Sequence, residues 1–192
     1  MVEMKRAPRR DNDDNAFKQI FDGTSLAGWR MCGPGSFELE NNMMITKGGM
    51  GLLWYTREKF RDFILRVLWK TSRKEDNSGV FVRFADPGND PQIAVNTGYE
   101  IQIYSGEHHR GNAMHKTGAI YGFAAPSRYP ATKPGEWNWF DIHAVGQNYV
   151  VILNNIRITE FTGSRRMDGY IGLQNHDTES TVCFGKVEIK EL

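Results

Sequence analysis

The sequence predicts an all-β protein built as a two-layer antiparallel sandwich, and three observations point to it. Short segments in which apolar and polar residues alternate recur along the chain, as strands with one buried face do. The pairs Asn41-Asn42 and Asn154-Asn155 each separate two such segments, and Asn tolerates the positive φ that tight hairpin turns require. No stretch supports a helix of three turns, since residues 58–63 supply one at most, and parallel βαβ folds are thereby excluded.

The chain's 192 residues suit one domain. We expect a flexible tail over residues 1–15, where charged residues dominate, and the sandwich domain over 16–192. Lys and Arg total 24 against 23 Asp and Glu, a formal charge of +1, so no global field attracts nucleic acid. No apolar run approaches the ~18 residues that span a bilayer. The charged segment Met1 to Asn15 lacks the apolar stretch of a secretory signal. The chain as written is therefore expected in the cytoplasm, or outside it if a leader has been removed. Cys32 and Cys183 match no metal-ligand spacing and are read as free thiols.

Order begins near Phe17, and Asp22-Gly23 marks a turn. Strands are expected at Phe37 to Glu40, Met43 to Thr46, Leu52 to Tyr55 and Phe63 to Lys70. In the last of these Phe63, Leu65, Val67 and Trp69 point inward. The segment Asn77 to Phe84 puts Val80, Val82 and Phe84 on one face, and Gly79, Phe81 and Arg83 on the other. Residues 86–96, with two prolines, read as a loop. Tyr99 to Tyr104 follows, then a polar stretch from Ser105 to Lys116 holding His108, His109 and His115. Thr117 to Gly122, Trp137 to Val145, Tyr149 to Leu153, Ile156 to Phe161, Gly169 to Asn175 and Val182 to Lys190 complete the set.

Several blocks in this order carry a family resemblance. Phe21-Asp-Gly-Thr-Ser-Leu-Ala-Gly-Trp29, Asn77-Ser-Gly-Val-Phe-Val-Arg83, Gly98-Tyr-Glu-Ile-Gln102, Thr117-Gly-Ala-Ile-Tyr121 and Gly169-Tyr-Ile-Gly-Leu-Gln-Asn-His176 together resemble the 3-keto-disaccharide hydrolase family, long catalogued as a domain of unknown function. The resemblance runs from about Phe17 to Leu192. It implies a concanavalin A-like, LamG-type jelly roll and action on glycosides already oxidised at C3 of the sugar. Where that family tends to have Asp-His-Gly, this chain has Asn175-His176-Asp177, so a role needing a carboxylate at 175 is not available.

Strand parity assembles a polar set independently of the family. Glu100, Gln102 and Tyr104 share one face of their strand while Tyr99, Ile101 and Ile103 share the other. Arg83 accompanies Gly79 and Phe81, and His176 accompanies Gln174 and Gly172. Aromatic and amide side chains beside glycines suit a sugar pocket better than a solvated face. A 3-keto group acidifies the C2 hydrogen, so the C1 substituent can leave by proton abstraction and elimination, with water added afterwards. That route needs a base, an acid and donors for the enolate oxygen. Glu100 or His176 is the candidate base. Arg83 and Gln102 are the oxyanion donors, and the candidate acid is Tyr121 or whichever of Glu100 and His176 is not the base. Gln174, Phe81, Tyr104 and Trp137 are the expected substrate contacts.

Ordinary glycoside hydrolysis would need a second carboxyl group about 5 to 9.5 Å away, and none shares the row of Glu100. A noncatalytic carbohydrate-binding module with the same groove is the alternative from another class. No cofactor is required by the residues. A divalent metal could be held by His108, His109 and His115, or by Glu100 and His176.

Overall fold

The computed structural model describes residues 16–106 and 112–192. The expected tail, together with His108 and His109, lies outside the described residues. Among the described residues the strands are β1 (Lys18–Phe21), β2 (Trp29–Cys32), β3 (Ser36–Glu40), β4 (Met43–Lys47), β5 (Gly51–Tyr55), β6 (Phe63–Thr71), β7 (Ser78–Phe84), β8 (Tyr99–Ile103), β9 (Asn138–Val145), β10 (Asn148–Leu153), β11 (Ile156–Thr162), β12 (Tyr170–Asn175) and β13 (Val182–Glu191). They pair antiparallel in two sheets. The larger runs β11-β10-β9-β6-β13-β4-β3, with β1 also paired to β13, and the smaller runs β2-β5-β12-β7-β8.

Period-two patterning explains why these segments are strands. β6 alternates strictly between buried and half-buried residues, placing Phe63, Leu65, Val67 and Trp69 in the core. There they meet Val80, Val82, Ile101, Ile103 and Leu173 from the smaller sheet. Each such side chain contributes about 1.5–3 kcal/mol on burial. The two Asn pairs turn as their sequence requires: Asn41 and Asn42 take φ of 49° and 61°, and Asn154 and Asn155 take 50° and 68°, joining β3 to β4 and β10 to β11. Cys32 and Cys183 are buried and unpaired.

Two elements differ from expectation. Within the segment read as a loop lies a short helix, α1 (Gln92–Thr97). Asp90 Oδ1 accepts the Gln92 N–H at 2.9 Å, and the Thr97 hydroxyl donates to Ile93 O at 2.6 Å while accepting from Ala85 N at 3.0 Å. Ala94 of α1 covers an apolar patch on the outside of the smaller sheet made by Cys32, Leu52, Trp54, Phe81 and Phe84.

The second difference is a bulge in β7. Its ladder with β12 pairs Tyr170 with Phe84 and Ile171 with Val82, leaving Arg83 over. Arg83 takes φ +53°, and Val82 and Arg83 both turn inward. Phe84 consequently joins the outer apolar patch instead of the core face that unbroken alternation assigns it. Gly169 makes room, since a Cβ there would lie 2.5 Å from the Arg83 carbonyl carbon.

Thr117 to Gly122 adds to the edge of β8 without becoming a full strand. Thr117 N–H donates to Tyr104 O at 3.0 Å, Gly118 N–H to Gln102 O at 2.8 Å, and Tyr121 N–H to Glu100 O at 2.9 Å. Tyr121 is thereby brought beside Glu100.

Candidate functional site

The smaller sheet's outer face carries the site, and its ladder registers set the geometry. Trp54 pairs with Gly172, Gly172 with Phe81, and Phe81 with Glu100, a cross-strand row that ends at Tyr121. In the adjacent row Leu52 pairs with Gln174, and Gly79 with Gln102. Glycine at 79 decides where the carboxyl group goes. A Cβ there would lie 2.2 Å from Glu100 Oε1 and 2.7 Å from its Cγ, so the Glu100 side chain lies across the bare backbone of β7 and reaches the Gln174 amide.

Glu100 is 9% exposed. Burial pushes its carboxyl up to about 8, against which the hydrogen bond from Gln174 works only partly. Its Oε1, Gln102 Oε1 and Gln174 Oε1 are all buried without a partner among the described residues. Leaving a buried acceptor unsatisfied costs roughly 1–3 kcal/mol. Three together on one sheet face offer unfilled acceptors to a donor-rich group.

A pocket of about 190 Å³ opens over Glu100, lined by Phe81, Val95, Asn96, Gly98, Tyr121, Phe123 and Arg165. Tyr121 stacks on His115, with ring centroids 4.5 Å apart. Desolvation, then the nearby Glu100 charge, raises its phenol pKa and keeps it a proton donor. Arg165 is held by the Val95 and Gly98 carbonyls, 2.8 Å from the first, and lies over the Phe123 ring at 4.8 Å. A smaller pocket of about 40 Å³ across Phe81 is bordered by Gln174, Leu52 and Val95.

Glu100, Phe81 and Tyr121 thus meet in one pocket, with Gln174 and Gln102 alongside. Four expected residues do not. Arg83 has no exposed surface and points into the core because of the bulge. Its guanidinium donates to Arg61 O and Gly146 O, to Ala144 O and Tyr149 Oη at 3.1 Å, and pairs with Asp62 Oδ1 at 3.0 Å. Every donor is used, so it cannot hold a substrate oxygen.

Trp137 lies on the larger sheet, against Gly185 and under Lys70 Nζ, 4.6 Å from its ring. It was expected at the rim because it precedes a strand, but that strand belongs to the other layer. Tyr104 is buried and lines a different pocket with Lys116 and Thr117.

His176 borders neither pocket at Glu100. Its Nδ1 lies 2.7 Å from Asp177 Oδ2. Burial works to raise the Asp177 carboxyl, and donors from His176, Ser180 and Glu179 outweigh it, so its pKa falls below the usual value. From Asp177 a polar chain runs inward: Ser180 Oγ donates to Asp177 Oδ2 at 3.0 Å and accepts from Asn77 N at 2.8 Å, and Asn77 Oδ1 accepts from Gln102 Nε2 at 2.9 Å. The chain engages the Gln102 amide nitrogen and leaves its buried oxygen as the open acceptor. Gln102 therefore does not serve as the oxyanion donor expected of it.

Asn175 is fully buried, and its amide donates to Ser36 O at 3.2 Å and Lys47 O at 2.6 Å. Those bonds are a tether between sheets, and a carboxylate could not make them. Among the described residues no group of three or more His, Cys, Asp or Glu side chains converges to hold a metal.

Arg165 and Phe123 were missed because both lie outside regular strands, where alternation gives no signal. We expect Gly79→Ala to displace the Glu100 carboxyl, lowering turnover at least tenfold and stability by about 1–3 kcal/mol. Activity and urea unfolding of the variant check this together.

Solved structures with this architecture include a candidate glycosyl hydrolase from Parabacteroides distasonis, 26% identical with a TM-score of 0.77, the match covering 92% of this chain and 99% of that one. A second from the same organism is 22% identical at 0.77, covering 93% and 95%. Carbohydrate-binding module CBM66 from Bacillus subtilis shares the fold at 14% identity and 0.61, covering 85% and 96%. No curated protein matches the chain. The family model described as the 3-keto-alpha-glucoside-1,2-lyase-like domain matches residues 16–190, and the chain belongs to that family.

Proposed function

We propose that the protein is a carbohydrate-active enzyme that cleaves 3-keto-glycosides by elimination, with Glu100 as the base. The observation carrying this reading is the Glu100 carboxyl, buried over Gly79 at the floor of a pocket and raised to about 8. A carboxylate with that pKa is a far stronger base than an exposed one, and it matches the task of taking a carbon-bound proton near neutrality. Membership of the family supports the substrate class.

In the proposed reaction the Glu100 carboxylate takes the C2 proton, and the bonding pair becomes the C2–C3 double bond of an enolate. Arg165 supplies the positive charge beside the enolate oxygen, the part that Arg83 cannot play. The enolate then expels the C1 substituent, and Tyr121 gives the leaving oxygen its proton. Water adds to the resulting enone in a later step. Unpaired Gln102 Oε1 and Gln174 Oε1 accept hydrogen bonds from sugar hydroxyls, while Phe81 and Phe123 face the ring.

The test is a panel of 3-keto-glucosides beside their unoxidised parents, with and without chelator, reading release of the aglycone. Release from the oxidised series alone supports elimination. Equal cleavage of the parents would mean ordinary hydrolysis, and affinity with no product would mean a binding module. Because the base must be ionised, kcat/KM is expected to rise with pH and level off above about 8.

A further inference from the structure

A pocket larger than the one over Glu100 lies away from it. It measures about 380 Å³ and is lined by Lys74, Lys116 and Lys133 together with Tyr104, Ser105, Thr117, Thr132 and Tyr129. No carboxylate is among its lining residues that the structure describes. Three lysines around one hollow bring it a positive potential that favours an anion.

The hydroxyls within it are ordered. Ser105 Oγ lies 2.7 Å from Thr132 Oγ1 and 3.2 Å from Thr117 Oγ1, and Thr117 Oγ1 is in turn fixed by the Tyr104 N–H at 2.9 Å. Lys116 Nζ is anchored on Gly106 O, whereas Lys74 and Lys133 are exposed at the mouth. Tyr129 stands 61% exposed on the rim, an aromatic face with no packing reason to be there.

Tyr104 continues the outward face of β8 that carries Glu100 and Gln102. Four residues along a strand span about 13 Å, a distance that a short oligosaccharide bridges.

We propose that this pocket is a subsite for an anionic sugar unit, one bearing a carboxylate or sulfate, two or so units from the residue that reacts at Glu100. The lysines take the charged group, the Ser105–Thr117–Thr132 hydroxyls take ring hydroxyls, and Tyr129 stacks on the ring. The subsite rests on the carbohydrate reading of the protein but not on catalysis at Glu100.

Binding to the full chain separates the two. Glucuronate-terminated, sulfated and matched neutral trisaccharides are titrated calorimetrically against wild type, Glu100→Gln, Lys74→Met/Lys133→Met and Lys133→Glu. We expect the acidic ligands to bind at least tenfold more tightly than the neutral one at low salt, in wild type and Glu100→Gln alike. That preference is expected to shrink in 0.5 M salt and in the double Lys variant, and to reverse in Lys133→Glu. The uronate and sulfate arms identify which anion is preferred.

Equal affinity for neutral and acidic ligands would overturn the subsite, as would a preference that survives removal of both lysines. Turnover of neutral 3-keto-glycosides would be untouched by that failure. Absence of 3-keto-glycoside turnover in the wild type, with the acidic preference intact, would instead count against the reaction assigned to Glu100.

Discussion

Glu100→Gln is expected to abolish turnover while making the protein more stable, and the gain should depend on pH. The folded carboxyl keeps its proton to about pH 8, whereas the unfolded group releases it near the ordinary glutamate value of 4.5. Between those values the folded state binds more protons, so wild-type stability falls as pH rises through that window. Each pKa unit is worth about 1.4 kcal/mol, making the loss on the order of several kcal/mol above pH 8. Glutamine carries no charge and escapes it. Urea unfolding at pH 4 and pH 9 should therefore show nearly equal stabilities at the lower pH and a clear advantage for the variant at the higher. Loss of a general base lowers turnover roughly 10²–10⁴-fold. An inactive variant with no pH-dependent gain would mean that Glu100 is not held neutral by burial.

The opposite signature is expected of Arg83→Met. Arg83 is sealed in the core with Asp62 and four other acceptors around its guanidinium. Removing one partner of such a network costs about 3–5 kcal/mol because the others are left unpaired. Arg83→Lys should rescue little, since an ammonium cannot reproduce the planar fork. The urea midpoint should drop sharply, while kcat corrected for the folded fraction stays within a few-fold of wild type. A catalytic arginine would give the reverse: unchanged stability and a collapsed kcat.

These two residues also show what the sequence makes legible. Alternation correctly separates Glu100 and Gln102 from Ile101 and Ile103, and Gln174 from Leu173, because those strands pair without interruption. It fails at Arg83, where one extra residue in β7 turns two successive side chains inward. No local sequence signal distinguishes that bulge from continued strand, since its cause lies in contacts with Gly169, Asp62 and Tyr149 brought together from elsewhere in the chain.

Trp137 failed for a related reason. Parity reports which face a residue occupies but not which of two sheets owns the strand. Arg165 gave no signal, because a loop residue has no period to read. The Asn pairs, by contrast, were reliable, for their positive φ is a property of two adjacent residues.

The most direct measurement is the protonation of Glu100 itself, followed as the side-chain ¹³C carboxyl shift in labelled protein and assigned by its disappearance in Glu100→Gln. The account predicts a titration midpoint of about 8. A midpoint near 4.5, the value of an ordinary glutamate, would contradict it.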